Sequence, residues 1–297
     1  MYYSNQKILS YNKLFNFIVG NRGGGKSFNA KEWAIKGFLK TGAQFIYLRR
    51  YKTELEHIGN YFSDVAFKFP EHKLETKGKQ FFIDGKLAGY AIPLSTSQKE
   101  KSTSYPLVDK IIFDEFIIDK STYHYIRNEV QLFLDFYETV ARMRDVRVEF
   151  ISNAITTVNP YFTYFKIFPK KNSKFTTGDE WVIEMYKSSE FVDAKKNTRF
   201  GKLISGTQYG NYSIENEFLR DNLNFIEPMT GKCIYWCCIN YNGTDYGIWF
   251  GQETGYVYVN QKIDKSKNMR FCFTTTDHTP NYILLKSIKS VKLIQKI

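Results

Sequence analysis

An α/β fold with a mostly parallel sheet is what three features of this 297-residue chain predict. Residues Gly20–Ser27 read Gly-Asn-Arg-Gly-Gly-Gly-Lys-Ser and fit the phosphate-loop pattern G-x-x-x-x-G-K-[ST]. The apolar run Phe15–Val19 comes directly before, and Ala30, Trp33, Ala34 and Phe38 follow at helical spacing, giving the strand–loop–helix setting that the pattern needs. Downstream, apolar strand-like runs keep alternating with helical patterns, as parallel strands joined by crossovers require.

Leu14–Val19 is the first expected strand and Ser27–Leu39 the first helix. Gly42 precedes a second strand, Gln44–Leu48, which runs into Arg49-Arg50-Tyr51-Lys52. Lys79–Ile83 and Leu87–Ile92 flank Asp84-Gly85, a strong hairpin signal. Ser95–Pro106 is polar and reads as a mobile loop. It leads to the buried strand Lys110–Phe113, which ends on Asp114-Glu115. Val130, Phe133, Leu134, Tyr137 and Val140 predict a helix from Arg127 to about Arg144, and Val146–Ile151 a strand closing on Ser152-Asn153. From Phe191 to about Ile226 the pattern is polar and helical. Beyond Cys233 come strand, Asn242-Gly243 turn, strand and Tyr256–Val259, a β-meander, then a Lys-bearing helical segment over Tyr282–Ile297. The expected organisation is a phosphate-loop domain over 1–190, a connecting region over 191–228 and a β-rich C-terminal domain over 229–297.

Lys and Arg number 42 against 30 Asp and Glu, a net charge of +12 that points to an anionic partner, nucleic acid first. The plain alternative is the general basicity of a Lys- and Asn-rich proteome. Cys233, Cys237, Cys238 and Cys272 have no His beside them, so neither a zinc site nor a disulfide framework is expected. Reduced, buried cysteines of an intracellular protein fit the pattern better. The N-terminus lacks a signal-peptide profile and no apolar run reaches membrane-spanning length, so the expectation is a soluble cytoplasmic protein.

Gly20, Gly23, Gly24 and Gly25 let the chain wrap so that backbone N–H groups point at phosphates. Lys26 would reach the β/γ-phosphates of ATP, and the Ser27 hydroxyl would bind Mg²⁺. The helix starting here adds its positive dipole end. Asp114, on a strand expected beside the phosphate-loop strand, faces the same Mg²⁺; Glu115 orients and deprotonates the attacking water. An adjacent Asp-Glu pair argues for hydrolysis. Asn153 either offers an amide to the γ-phosphate or simply forms a turn. Arg22 is a second candidate for γ-phosphate charge, with an ordinary surface arginine as the alternative. Arg142, Arg144 and Arg147, expected on the helix before the 146–151 strand, either supply a guanidinium to a neighbouring subunit's site or favour the helix dipole.

With these residues placed, the sequence closely resembles the DNA-packaging (encapsidation) ATPases of small tailed bacteriophages of the phi-29 type. The similar stretches are Leu9-Ser10-Tyr11, Phe17–Ser27, Gln44–Lys52, Ile83–Gly89, Ala91–Ser95, Phe113–Ile117, Ser152–Ala154, Asn159–Phe162 and Thr198–Gly201, in order and extending to about residue 285. The resemblance implies an additional-strand (ASCE-type) P-loop NTPase fold, and a C-terminal domain like a degenerate RNase H-type nuclease. It also implies a homo-oligomeric, pentameric ring at the portal vertex of a preformed capsid, pumping double-stranded DNA inward with ATP and Mg²⁺. In the family a Thr-Val-x-Arg pattern carries the trans-acting finger, which makes Arg142 of Thr139–Arg142 that residue. The family's pore lysine after Arg-Arg-Tyr corresponds to Lys52, whose charge just beyond a strand can grip phosphates without reading sequence.

The sequence departs from the family in two places. The family pattern continues with another helical stretch, so the expectation is either a shorter tail or a sequence cut before its end. Asn240-Tyr241-Asn242-Gly243 stands where a nuclease would need carboxylates for two metals, so no nuclease activity is expected. Whether a structural packaging RNA joins ring to portal is left open; Lys286, Lys289, Lys292 and Lys296 suit such an RNA, the portal or solvent alike. The competing readings are a cellular P-loop DNA translocase of plasmid or conjugation type and a scaffold with a merely structural nucleotide site.

Overall fold

Strands β1 (Phe15–Gly20), β2 (Gln44–Arg49), β3 (Leu74–Lys77), β4 (Gln80–Ile83), β5 (Lys86–Pro93), β6 (Val108–Asp114), β7 (Arg147–Asn153), β8 (Phe175–Thr177) and β9 (Trp181–Tyr186) form one sheet. Their order in this computed structural model is β3-β4-β5-β2-β6-β7-β1-β9-β8. The model describes residues 2–118, 123–154, 156–169, 173–214, 229–241 and 243–285. The run from β5 through β9 is parallel, and antiparallel hairpins finish both edges. Central strands are buried on both faces because helices cover both.

One face packs on α2 (Lys26–Thr41), whose Ala30, Ala34 and Ile35 meet Ile18, Phe45, Ile112 and Ile151, with Ile8 of the short α1 (Gln6–Leu9) in the same cluster. The other face packs on α3 (Glu129–Ala141) through Phe133, Phe136 and Val140, with Tyr161 and Phe162 of α4 (Pro160–Phe165). Phe17 and Phe150 stack there with ring centres 4.4 Å apart.

Several expectations need correction. The acidic strand β6 is not beside β1: β7 lies between them, pairing with both. β7 is as apolar as β6, and the α3 crossover returns the chain to the next position in the sheet. The helix stops at Ala141; Arg142 terminates it at φ +53°, and Arg147 already belongs to β7. The polar stretch after Pro93 is a 3₁₀ helix, Leu94–Ser102, anchored by buried Leu94 and Ser97.

The chain divides into two units, Met1–Asn222 and Leu223–Ile297. Helices α5 (Ser189–Lys196), α6 (Arg199–Ile204) and α7 (Gln208–Ser213), in the segment read as a connector, fall in the first unit. The second unit is a five-stranded sheet of β10 (Cys233–Tyr241), β11 (Thr244–Gly251), β12 (Val257–Asn260), β13 (Arg270–Cys272) and β14 (Ile283–Leu284). Its order is β12-β11-β10-β13-β14. The meander holds for β10–β12, but β13 and β14 add in parallel. The segment expected as a helix from Tyr282 therefore begins as a strand; its lysines 286, 289, 292 and 296 lie outside the described residues. All four cysteines are free, three of them buried. Among the described residues no helix is long and apolar enough to cross a membrane.

Candidate active site

The loop after β1 turns through Gly23 (φ +82°) and Gly25 (φ +86°), conformations that side chains resist, and Gly25 starts α2 with no side-chain cap. The first amides of α2 are thus left to an anion. Lys26 is buried at the centre. Its Nζ donates to the carbonyls of Gly20 (3.0 Å) and Asn21 (2.7 Å) and to Asn153 Oδ1 at the tip of β7 (3.3 Å). Burial pushes its ammonium down to about 8 against the pull of Asp114, and Lys195 adds to the depression.

Ser27 Oγ donates to Asp114 Oδ1 (3.1 Å), and Tyr47 OH to Asp114 Oδ2 (3.1 Å). A hydroxyl and a carboxylate so close are the hard oxygen donors that Mg²⁺ takes. Three strand ends, β1, β6 and β7, thus bring Lys26, Ser27, Asp114 and Asn153 together.

Glu115 follows at φ +60°, an unfavourable conformation for a side-chain-bearing residue. Two neighbouring arginines hold it there in different ways. Arg49 Nη2 donates to the Glu115 carboxylate at 2.6 Å and to Glu54 Oε1 at 2.8 Å. Glu54 in turn accepts from the Tyr51 amide (2.6 Å) and lies in the 3₁₀ turn Lys52–Leu55. Arg50, fully buried, donates to the Glu115 carbonyl (3.0 Å), the Phe116 carbonyl (2.7 Å) and both carboxylate oxygens of Glu129 (2.8 Å each). Tyr161 completes this group by donating to Glu129 Oε1 at 2.9 Å. Sequence reading missed the roles of Tyr47, Arg49, Arg50 and Glu129. Tyr47 and Arg49 share one face of β2, the spacing that reaches Asp114 and Glu115.

The remaining candidates lie apart from this group. Lys52 is exposed and its side chain has no hydrogen bond among the described residues. Arg142 is likewise exposed and unbonded through its side chain. Arg144 donates to the carbonyls of Tyr105, Pro106, Val108 and Val140, and Arg147 to Asn12. Arg22 lines a cavity on the other flank of the loop, with Phe191 and Lys195. In the second unit Asp245 accepts from Asn240 (2.7 Å) and Tyr282 (2.8 Å). Among the described residues no cluster of three or more His, Cys, Asp or Glu could hold a metal.

The sequence profile of the podovirus DNA encapsidation protein (Gp16) family matches residues 1–297. The DNA packaging protein of Bacillus phage phi29 is 44% identical over 298 residues, spanning 100% of this chain and 90% of the phi29 protein. In the bacteriophage phi-29 viral genome packaging motor assembly, a chain 44% identical superposes with a TM-score of 0.80, covering 99% of this chain and 90% of that one. The crystal structure of the N-terminal domain of the phi29 DNA packaging ATPase, 51% identical, covers 64% of this chain and 98% of its own, with a TM-score of 0.61.

Proposed function

The chain belongs to the podovirus DNA encapsidation protein family, and we propose that it is the ATP-hydrolysing subunit of a viral DNA-packaging motor. In this reading it forms a homo-oligomeric, pentameric ring at the capsid portal in the host cytoplasm and drives double-stranded DNA inward. The observation that carries it is the meeting of Lys26, Ser27, Asp114 and Asn153 at three strand ends around a left-handed glycine loop. The sheet order, with β7 between the loop strand and the acidic strand, supports the additional-strand class.

Loop amides and Lys26 would bind the β- and γ-phosphates, and Asn153 would face the γ end. Ser27 and Asp114 would hold Mg²⁺, which when bound neutralises charge on the phosphate oxygens. Glu115 acts as general base once its carboxylate leaves Arg49 and reaches the water. Because Arg49 also holds Glu54, that movement bears on the turn carrying Lys52, the proposed grip on DNA phosphates. Arg142, whose side chain has no hydrogen bond among the described residues while Arg144 and Arg147 are committed, suits a finger given to a neighbour. The second unit is proposed as a degenerate RNase H-type domain without nuclease activity, since Asp245 is occupied by Asn240 and Tyr282.

DNA-stimulated ATP turnover tests the reading. Glu115→Gln should keep ATP binding and lose about 10²–10⁴-fold in turnover. Mixing Arg142→Ala with Glu115→Gln subunits should restore part of it at mixed interfaces. Unchanged turnover in Glu115→Gln would remove the base, and no restoration would remove the trans finger.

A further inference from the structure

The hydrolytic groups all approach the phosphate loop from one side. Asn153, Asp114 and Glu115 come from β7 and β6, which lie to one side of β1 in the sheet; β9 lies on the other side and leads into α5. A nucleotide with its γ-phosphate toward Asn153 must therefore extend its nucleoside toward β9 and α5.

A cavity of about 450 Å³ opens there, beginning at Arg22 and Gly23 and walled by Tyr2, Phe191, Phe200 and Tyr209. That volume lies in the range of small-ligand sites. Phe191 packs directly on the loop: a Cβ added at Gly23 would sit 3.5 Å from its Cζ. The walls are fixed to the loop by hydrogen bonds. Lys195 Nζ donates to Arg22 O (3.2 Å), Ser213 O (2.9 Å) and Ser213 Oγ (2.8 Å), and Asn21 Nδ2 donates to Ile214 O (2.5 Å). Lys195 Nζ also lies 5.6 Å from the Phe191 ring centre.

We infer that this cavity is the nucleoside site: the purine of the bound triphosphate stacks on Phe191 under the cover of α5–α7. The inference rests on reading Gly20–Ser27 as a triphosphate site. Base–aromatic stacking is worth about 1–3 kcal/mol per base and needs no particular edge chemistry, because every base has a π-face. A larger cavity of about 980 Å³ also touches Gly23 and Gly25, but it runs along α2 as far as Lys40 and has the Glu32 carboxylate in its wall. Its one acid is neutralised by Lys36 and Lys68, so it is set aside on direction alone: it runs along α2 and not toward β9 and α5.

Calorimetric titration of the full chain with ATP and with inorganic tripolyphosphate separates base from phosphate. Phe191→Ala should weaken ATP roughly tenfold or more and leave tripolyphosphate affinity unchanged, which also reports an intact loop. Phe191→Trp should restore ATP affinity, and Phe67→Ala, in the larger cavity, should alter neither ligand. Undiminished ATP affinity in Phe191→Ala, or selective loss of ATP in Phe67→Ala, would overturn the inference while the triphosphate reading stands. Wild-type protein that binds neither ATP nor tripolyphosphate would overturn both.

Discussion

At the Gly20–Ser27 end of the first sheet, Arg50 and Glu129 form an ion pair with both side chains fully out of water, 2.8 Å apart. In the second sheet, Arg270 and Asp245 lie 3.6 Å apart with more than a quarter of each side chain exposed. The first pair is closed on every side: Tyr161 and the Ile126 amide also donate to Glu129, and Arg50 rests on Phe113 and Tyr125. It spends two further donors on the carbonyls of Glu115 and Phe116, so its rigidity is passed to the strained residue proposed as the base. The second pair is joined by Asn240 and Tyr282, which donate to Asp245, but it stays partly open to water. A buried pair costs much to desolvate and contributes geometry more than net stability, whereas a half-exposed pair contributes little of either. The difference teaches where this molecule needs fixed geometry: at Glu115, in the first sheet.

Breaking the buried pair should have the largest effect. Arg50→Ala leaves the Glu129 carboxylate buried without its cation, and urea unfolding should show a loss of about 3–5 kcal/mol. A loss near zero would mean that Glu129 is solvated after all and that the contrast between the two sheets is false.

Arg49 and Arg50 also mark the limit of what the sequence disclosed. Gly20–Ser27 and Asp114-Glu115 were legible because their chemistry is local: a glycine pattern between strand and helix, and acids at the end of an apolar run. The two arginines stand side by side in a basic run, yet one shares the Tyr47 face toward Glu115 and the other turns into the core to meet Glu129, 79 residues on. No short-range pattern records that partner. The place of β7 between β1 and β6 was equally hidden, since two strands of the same apolarity do not reveal their order. The β9 strand escaped because Glu184 interrupts its apolar run.

Glu184 belongs to a second buried acidic group, and it yields an intermediate effect. Glu149, wholly buried on β7, accepts from Asn5 Nδ2 at 2.7 Å, and Tyr3 OH donates to Glu184 at 3.0 Å. Burial raises Glu149 from 4.5 to about 7; Asn5, Arg147 and Lys110 oppose that rise, and Glu184 adds to it. Between those two values the folded chain keeps a proton that the unfolded chain has released, so stability falls as pH rises through this window. The loss from this group is up to about 3 kcal/mol and is complete above the folded value. Glu149→Gln should therefore gain on wild type more at pH about 7.5 than at about 5 in urea unfolding. An equal difference at both would show that the carboxyl is ionised throughout.

The smallest effect belongs to the second sheet. Asp245→Asn removes the charge facing Arg270 but keeps an oxygen for Asn240 and Tyr282, so the unfolding free energy should change by about 1 kcal/mol or less. ATP turnover should be unaffected, because no catalytic group of the first sheet depends on this carboxylate in the proposed mechanism. Thermal unfolding and turnover measured on the same preparation would check both. A loss as large as that of Arg50→Ala would place a second rigid electrostatic centre at Asp245, and fixed geometry would then no longer distinguish the two sheets.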